Sequence, residues 1–147
     1  NQAIANQEGV YNVTIQWQNG SANNAEAKQI GDRNSSIQWS YGNNNSTVVT
    51  QDGDGNVAEQ LQGIKRNEEY GYLQYDVSST SDNDAKIDQD GLGNDAFQTQ
   101  LGLGGHDATT VQFGDDNTAT TLQQGNGHMS TITQSGNNNM ATVTQSN

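Results

Sequence analysis

The 147-residue chain contains no cysteine, no proline and few hydrophobic residues. Without cysteine it has no disulfide framework, no thiol nucleophile and no thiolate metal ligand. Only 29% of its residues are hydrophobic, whereas roughly half of an ordinary globular domain is apolar. A conventional apolar core is therefore not expected, and the chain is either disordered or ordered by another kind of interaction.

Basic residues and long apolar runs are also scarce. Five Lys and Arg stand against 17 Asp and Glu, which gives a net charge of −12. Nucleic acids and anionic membranes attract basic surfaces, so neither is an expected partner. No apolar run approaches the roughly 20 residues of a spanning helix, so the protein is not expected to be membrane-embedded. No signal segment opens the chain, and if the protein is exported we expect this sequence to be its mature form.

What the chain has in abundance is a repeat with a period of 11 residues. Each unit reads Asn-x-Ala-x-z-x-Gln-x-Gly-x-x, where z varies and Ser or Thr can replace Ala. Disordered sequences have no reason to keep such a register, so order is favoured. Gly105 and His128 occupy two Asn positions, and Ser40 occupies a Gln position. The turn glycines are Gly9, Gly20, Gly31, Gly42, Gly53, Gly91, Gly102, Gly114, Gly125 and Gly136.

The spacing within a unit indicates strands and not helices. A glycine in every unit would cost a helix roughly 1 kcal/mol each, and the regular positions are two apart, which is the strand period. Each unit therefore predicts a strand followed by a turn, in which glycine adopts a backbone conformation that other residues resist. Two units make one 22-residue turn, or rung, of a flattened, all-β solenoid of about six rungs, with two parallel sheets that face each other.

The same alternation predicts an interior made largely of amides. Asn, Ala, z and Gln point inward, and a buried amide is costly unless it is hydrogen-bonded. Stacking in register brings each side chain to about 4.8 Å from its equivalent, where amides can bond along the stack. The predicted core ladder comprises Gln7, Asn12, Gln18, Asn23, Gln29, Asn34, Asn45, Gln51, Asn56, Gln62, Asn83, Gln89, Asn94, Gln100, Gln112, Asn117, Gln123, Gln134, Asn139 and Gln145.

One set of outward positions is apolar, and two places break the register. The predicted external stripe is a contact between filaments or with another surface, or else it stabilises neighbouring strands. We expect one domain, 1–147, in which an irregular insert at 63–77, with five inserted residues, separates regular blocks 1–62 and 78–147. A single further residue is inserted near Leu101 to His106. The stripe comprises Ile15, Trp17, Ile37, Trp39 and Leu61.

The two ends of the stack are expected to polymerise. A monomeric solenoid needs caps, because a bare terminal strand offers free N–H and C=O groups to other strands. The first and last units are regular, and no Asp, Glu, Lys or Arg follows Asp116. Head-to-tail pairing that does not close gives a filament. The predicted polymerisation ends are Ala3, Ala5, Gln7, Asn139, Ala141, Val143 and Gln145.

The unit Asn-x5-Gln followed by x-Gly-x-x-Asn resembles the curlin repeat of bacterial curli, the extracellular functional amyloid of biofilms. The resemblance implies a secreted subunit of adhesive cell-surface fibres, whose partners are further copies of itself, a minor curlin nucleator, and the curli secretion channel and chaperones. The uncharged last unit is more like the major subunit than the nucleator. Asn leads nearly every strand here, whereas the family usually alternates Ser and Asn, and the family's N-terminal targeting segment is not evident.

Other functions compete with the polymer. The alternative is a monomeric solenoid that binds ice or calcium. Asp52, Asp54 and Asn56 match the start of a Ca²⁺ loop, but Gly63 stands where the bidentate acid belongs. An ice-binding face would need a flat Thr array, which charged residues interrupt. No carboxylate partners the two histidines by spacing, so no enzyme and no cofactor are expected.

Overall fold

The chain folds into a stack of parallel strands, as its repeat predicts. The protein was examined as a computed structural model, which describes residues 1–66, 73–75 and 80–147. The strands are β1 (Gln2–Glu8), β2 (Val13–Asn19), β3 (Asn24–Ile30), β4 (Ser35–Asn43), β5 (Ser46–Asp52), β6 (Val57–Gln62), β7 (Ile64–Arg66), β8 (Leu73–Tyr75), β9 (Thr80–Ser81), β10 (Asp84–Asp90), β11 (Asp95–Gly104), β12 (Asp107–Phe113), β13 (Thr118–Asn126), β14 (Met129–Ser135) and β15 (Met140–Ser146).

Twelve of these strands form two parallel sheets. Sheet A has the order β1-β3-β5-β10-β12-β14, and sheet B has the order β2-β4-β6-β11-β13-β15. One strand of each sheet forms a rung, so rung 1 is β1 with β2 and rung 6 is β14 with β15. Within the regular parts, partners are one 22-residue turn apart, as in Ala3 with Ala25. The predicted all-β solenoid of about six rungs is confirmed.

Glycine is required at the first turn position because the rungs approach closely there. Gly31 has φ +104°, and a Cβ on it would lie 2.1 Å from the carbonyl oxygen of Gly53. Two residues later the backbone is again left-handed, with φ +59° at Arg33 and +56° at Ala22. The 11-residue pattern did not predict this second left-handed position, because glycine fills it in only some turns.

Small apolar residues and amides share the interior between the sheets. Val49, Ala58, Ile87 and Ala96 form a fully buried apolar cluster at the middle of the stack. Around them, the glutamines of the internal rungs are equally buried. The solenoid is thin enough that small side chains from one sheet reach those of the other.

The first break in the register is longer than predicted. Gln51 and Gln89 are stacking partners although 38 residues separate them, which is 16 more than one 22-residue turn. The prediction of five inserted residues is therefore wrong, because it counts a further 11-residue strand unit here. The described part of the segment adds to the stack only the two-residue β9, which pairs with the end of β4, Gly42 with Thr80. β7 and β8 pair antiparallel, Ile64 opposite Tyr75. Most of the predicted insert, 63–77, lies outside the described residues.

The second break is where the sequence places it. The pairing of β11 with β13 shifts between Gly102 and Gly104, so Leu103 is the single extra residue, and its side chain is exposed. The prediction that Gly105 occupies the Asn position is wrong. With Leu103 bulged out, His106 comes into that position and its backbone N–H donates to Asn83 Oδ1.

The predicted external stripe is shorter than expected. The rings of Trp17 and Trp39 are neighbours, with centroids 5.3 Å apart and planes tilted by 38°, and Ile15 pairs with Ile37 in the same register. Leu61 continues the Trp register, but only 1% of its surface is accessible, and the neighbouring outward residue Glu59 is 7% accessible. Leu61 is therefore not external, because other parts of the protein cover this section of sheet B.

Candidate functional site

The glutamines of sheet A form a continuous hydrogen-bonded ladder through all six rungs. Each Nε2 donates to the Oε1 of the next rung, as from Gln29 to Gln51 over 2.8 Å and from Gln112 to Gln134 over 2.9 Å. The direction is the same at every step, so the ladder is polar from rung 1 to rung 6. Its members are Gln7, Gln29, Gln51, Gln89, Gln112 and Gln134.

Each of these amides also ties the two sheets together. The second Nε2 hydrogen of Gln29 donates to the Val13 carbonyl of sheet B over 3.1 Å, and that of Gln51 to the Ser35 carbonyl over 3.1 Å. A buried donor without a partner costs roughly 1–3 kcal/mol. The double use of each amide explains how so polar an interior is stable.

Sheet B carries two further ladders. Gln62, Gln100, Gln123 and Gln145 are joined in sequence over 3.0–3.1 Å. Ser40 stands one rung earlier and its hydroxyl donates to Gln62 Oε1 over 2.9 Å, so the serine preserves the column. Gln18 lies at the start of this column, and its Nε2 donates to the Gln2 carbonyl. The second ladder consists of Gln16, Gln38, Gln60 and Gln98.

Asparagine columns close both corners of the solenoid. The Oδ1 of each Asn accepts the backbone N–H of the next, as from Asn34 to Asn12 over 2.9 Å. The Nδ2 donates to the carbonyl of the next turn glycine, as from Asn34 to Gly53 over 2.8 Å. The asparagines therefore hold the turns in register. The column where sheet A passes to sheet B comprises Asn12, Asn34, Asn56, Asn94, Asn117 and Asn139.

The other corner column ends in two histidines. It runs from Asn1 through Asn23, Asn45 and Asn83 to His106 and His128. The two imidazole rings are stacked, with centroids 5.4 Å apart and planes 7° apart. Burial lowers the pKa of His106 from its ordinary value, and the neighbouring His128 lowers it further, while hydrogen bonds to backbone carbonyls oppose the shift.

The candidate calcium residues are not brought together. Asn56 is fully buried, and its Nδ2 donates inside the stack to the Gly91 carbonyl over 3.0 Å. Asp54 lies on the exposed turn and its Oδ1 accepts the backbone N–H of Asp32 over 2.7 Å. Alternation explains the separation, because Asn56 begins an inward-facing series. Among the residues that the structure describes, no group of three His, Asp or Glu could hold a metal ion.

The predicted polymerisation residues lie on the two end faces of the stack. Ala3, Ala5 and Gln7 belong to β1, which pairs with β3 alone among the described strands. Their side chains are exposed, whereas Ala25 and Gln29 in the same columns are completely buried. At the opposite face, β15 carries Asn139 just before it and then Ala141, Val143 and Gln145, which are half-buried. Both faces therefore present the interior columns to solvent.

A comparison with protein-family models shows which known repeat this chain is similar to. Residues 114–146 match the model of the curlin associated repeat. This segment of the chain therefore carries the curlin repeat. The matched segment covers the turn after β12, then β13 and both strands of rung 6, and its register continues through the preceding rungs. The expected relationship to the curlin family is thereby confirmed.

Two further comparisons found no relative of this chain. No match was found among curated proteins or among solved structures. Within the described ranges, no helix has the length and apolar character needed to cross a membrane. The curlin repeat and the solenoid together fit a structural subunit of the curli type.

Proposed function

We propose that this protein polymerises head-to-tail into extracellular curli-like amyloid fibres. The proposal rests on one observation, the complementarity of the two end faces. Rung 6 of one copy offers the groups that rung 1 of the next copy needs, because the solenoid repeats without changing direction. The fibre is then the same solenoid continued across molecular boundaries.

The glutamine ladders give the strongest support. Every internal Gln of the sheet A ladder uses Nε2 for at least two hydrogen-bond contacts, but within the described residues Gln134 uses it once, toward the Thr118 carbonyl over 2.9 Å. Gln145 likewise donates once, to the Met129 carbonyl over 2.9 Å. At the other face, no described residue donates to Gln7 Oε1 or Gln18 Oε1. Stacking a second copy therefore satisfies an open donor with an open acceptor in each sheet.

The corner column and the backbone also leave an open acceptor on one end face and an open donor on the other. Asn139 Oδ1 accepts from no described residue, while Asn117 Oδ1 before it accepts the backbone N–H of Asn139 over 3.0 Å. The equivalent donor on an incoming copy is the backbone N–H of Asn12. Free strand edges of this kind readily pair with other chains. The end faces therefore match in side chains and in main chain.

Charge does not oppose this contact. No Asp, Glu, Lys or Arg occurs in rung 6, and rung 1 contains only Glu8. The acidic residues that produce the net charge of −12 lie between them, where they keep separate molecules soluble. This distribution supports end-to-end association over lateral aggregation of the charged sections.

By its family, we infer that the fibre belongs to the biofilm matrix, where it mediates adhesion and aggregation. We place the chain with the major subunit and not with the nucleator, since its last rung carries no charge. A minor nucleator, the secretion channel and its chaperones are the expected partners. The role is structural and does not involve catalysis.

Fibre diffraction tests the proposal directly. Purified protein is incubated at high concentration, and we expect thioflavin-positive fibres with a reflection at about 4.7–4.8 Å along the fibre axis. A protein that stays monomeric under these conditions would refute polymerisation.

End-face variants then test the mode of contact. Gln134→Ala and Gln145→Ala remove the open donors, so seeded elongation should slow markedly. Thr142→Ala, on the exposed face of β15, is the matched control and should elongate nearly as the wild type. Equal slowing in all three variants would exclude the proposed ladder contact.

A further inference from the structure

The histidine pair occupies the end of the column that the next copy must extend. His106 and His128 replace Asn where sheet B returns to sheet A, in rungs 5 and 6. His106 reproduces two contacts of the column asparagines, whose Oδ1 accepts the next backbone N–H of the column and whose Nδ2 donates to a carbonyl four residues earlier, as from Asn34 to Ile30. Its Nδ1 accepts the backbone N–H of His128 over 3.1 Å, as an Asn Oδ1 does elsewhere, and its Nε2 lies 3.0 Å from the Leu101 carbonyl oxygen.

This arrangement fixes where the proton resides on His106. A nitrogen that accepts a backbone N–H cannot itself be protonated, so the ring must be neutral with its hydrogen on Nε2, which donates to Leu101. His128 repeats the pattern, because its Nε2 lies 3.1 Å from the Gln124 carbonyl oxygen. Its Nδ1 then has the acceptor role, and no described residue donates to it.

The equivalent donor exists on the opposite face of the molecule. Asn1 begins the same column, and its Oδ1 accepts the Asn23 backbone N–H over 3.0 Å. When a second copy continues the solenoid, the backbone nitrogen of its Asn1 takes the same position relative to the His128 ring as the backbone nitrogen of His128 has relative to the His106 ring. His128 Nδ1 would therefore receive the incoming chain.

We propose that this pair makes attachment of the next copy depend on pH, with neutral rings accepting it and protonated rings opposing it. Protonation of Nδ1 replaces an acceptor with a donor that faces a backbone N–H. Two cationic rings 5.4 Å apart would also repel each other in a buried setting. The Asn columns contain no group that titrates in this range. The inference depends on the proposed polymerisation.

The charged residues around the histidine pair do not account for the proposed pH dependence. The titratable residues next to the pair are Asp82, Asp84 and Asp107, in the turn and strands that pack against it. Asp84 and Asp107 alternate with the buried Ala85 and Ala108, so they point away from the interior. Among the described residues, His128 is the charged neighbour that shifts the pKa of His106. Carboxylates also titrate in a lower range than histidine, at about pH 4.

The size of the expected pH effect on assembly follows from proton linkage. A free histidine has an ordinary pKa of about 6.5. If a histidine must lose its proton on assembly, the affinity of one copy for the next falls about tenfold for each pH unit below that pKa. The soluble concentration in equilibrium with wild-type fibres should therefore rise at least about tenfold between pH 7.5 and pH 5.

The test compares wild type with His106→Asn/His128→Asn, which places the usual residue of this column at both positions. Fibres of each protein are equilibrated at both pH values, and the protein that remains after sedimentation is measured. We expect the double variant to change less than about twofold, because its column has no titrating group. The same rise in both proteins would overturn the inference while leaving polymerisation intact.

A second measurement does not require the variant to assemble. Solid-state ¹⁵N spectra of wild-type fibres at pH 7.5 should show both imidazoles neutral and protonated on Nε2. A ring protonated on Nδ1, or a cationic ring, would also overturn the inference. If wild type forms no fibres at pH 7.5, the proposed function itself fails, which is a distinguishable result.

Discussion

Gln29 and Gln51 lie one above the other in sheet A, and Nε2 of the first donates to Oε1 of the second over 2.8 Å. Neither side chain has any surface accessible to solvent. The same contact recurs along the stack, so the protein stabilises its interior by repeating one polar interaction. A core of this kind can be continued by another copy, because its bonding pattern does not end at a closed surface.

Breaking this ladder should destabilise the solenoid more than a change on the outward face of the same strand. Gln51→Ala leaves the Gln29 donor and the Gln89 acceptor unpaired, and removes the bond to the Ser35 carbonyl. We expect a loss of about 3 kcal/mol in the free energy of unfolding, measured by guanidinium denaturation followed by circular dichroism. Thr50→Ala, on the outward face of the same strand, should lose less than about 1 kcal/mol.

The first turn position should tolerate no side chain. In Gly31→Ala the new Cβ would lie 2.1 Å from the Gly53 carbonyl oxygen, so adjacent rungs would have to separate. We expect the variant to fail to fold or assemble. Gly55→Ala is the matched control, because its φ is +69° but nothing lies within 4 Å of the new Cβ. It should cost only about 1–2 kcal/mol of left-handed strain, and equal damage would contradict the close-contact explanation.

The second turn position offers a stabilising change. Ala22 has φ +56° and an exposed side chain, so it gains little from packing while it bears left-handed strain. Ala22→Gly should raise the free energy of unfolding by up to about 1 kcal/mol, measured by the same denaturation. In the interior strand β3, Ala27→Gly should have the opposite sign, because it removes a buried methyl group and adds backbone freedom.

The period and its alternation were sufficient to predict the architecture. The spacing of Gln29 and Gln51 specifies both the strand and its register, since a slip by one residue would expose every inward amide. The same regularity identified Leu103 as an extra residue only approximately, to the segment from Leu101 to His106. Regular positions can be recognised in a sequence because every rung requires the same kind of residue there.

The features that the sequence did not predict depend on contacts that occur at one place in the stack and are not repeated in other rungs. His106 looked displaced by one position because the bulge at Leu103 shifts the column, and only pairing shows which residue is then in register. Leu61 has the spacing of an exterior residue but is 1% accessible, and the repeat does not reveal that this one outward position is covered. The strain at Arg33 was likewise hidden, since glycine, asparagine and arginine all occur at that turn position.

A pair of acidic side chains should weaken the solenoid at neutral pH. Burial raises the pKa of Asp95 above its ordinary 3.8, and the nearby carboxylate of Asp116 raises it further. The folded state therefore disfavours the charged form, so this group's unfavourable contribution appears as the pH rises above about 3.8. Asp95→Asn should raise the denaturation midpoint at pH 7 and leave it nearly unchanged at about pH 2, where the carboxyl is protonated in both states.

A double-mutant cycle separates the two causes of this shift. Asn fits the position of Asp116, whose φ is +54°, because Asn44 and Asn138 occupy the equivalent turn position with φ +55° and +58°. If repulsion from Asp116 contributes, Asp95→Asn should gain less stability at pH 7 in an Asp116→Asn background than in the wild type. An equal gain in both backgrounds would attribute the shift to burial alone. Because burial is the larger cause, we expect the gain to shrink without disappearing.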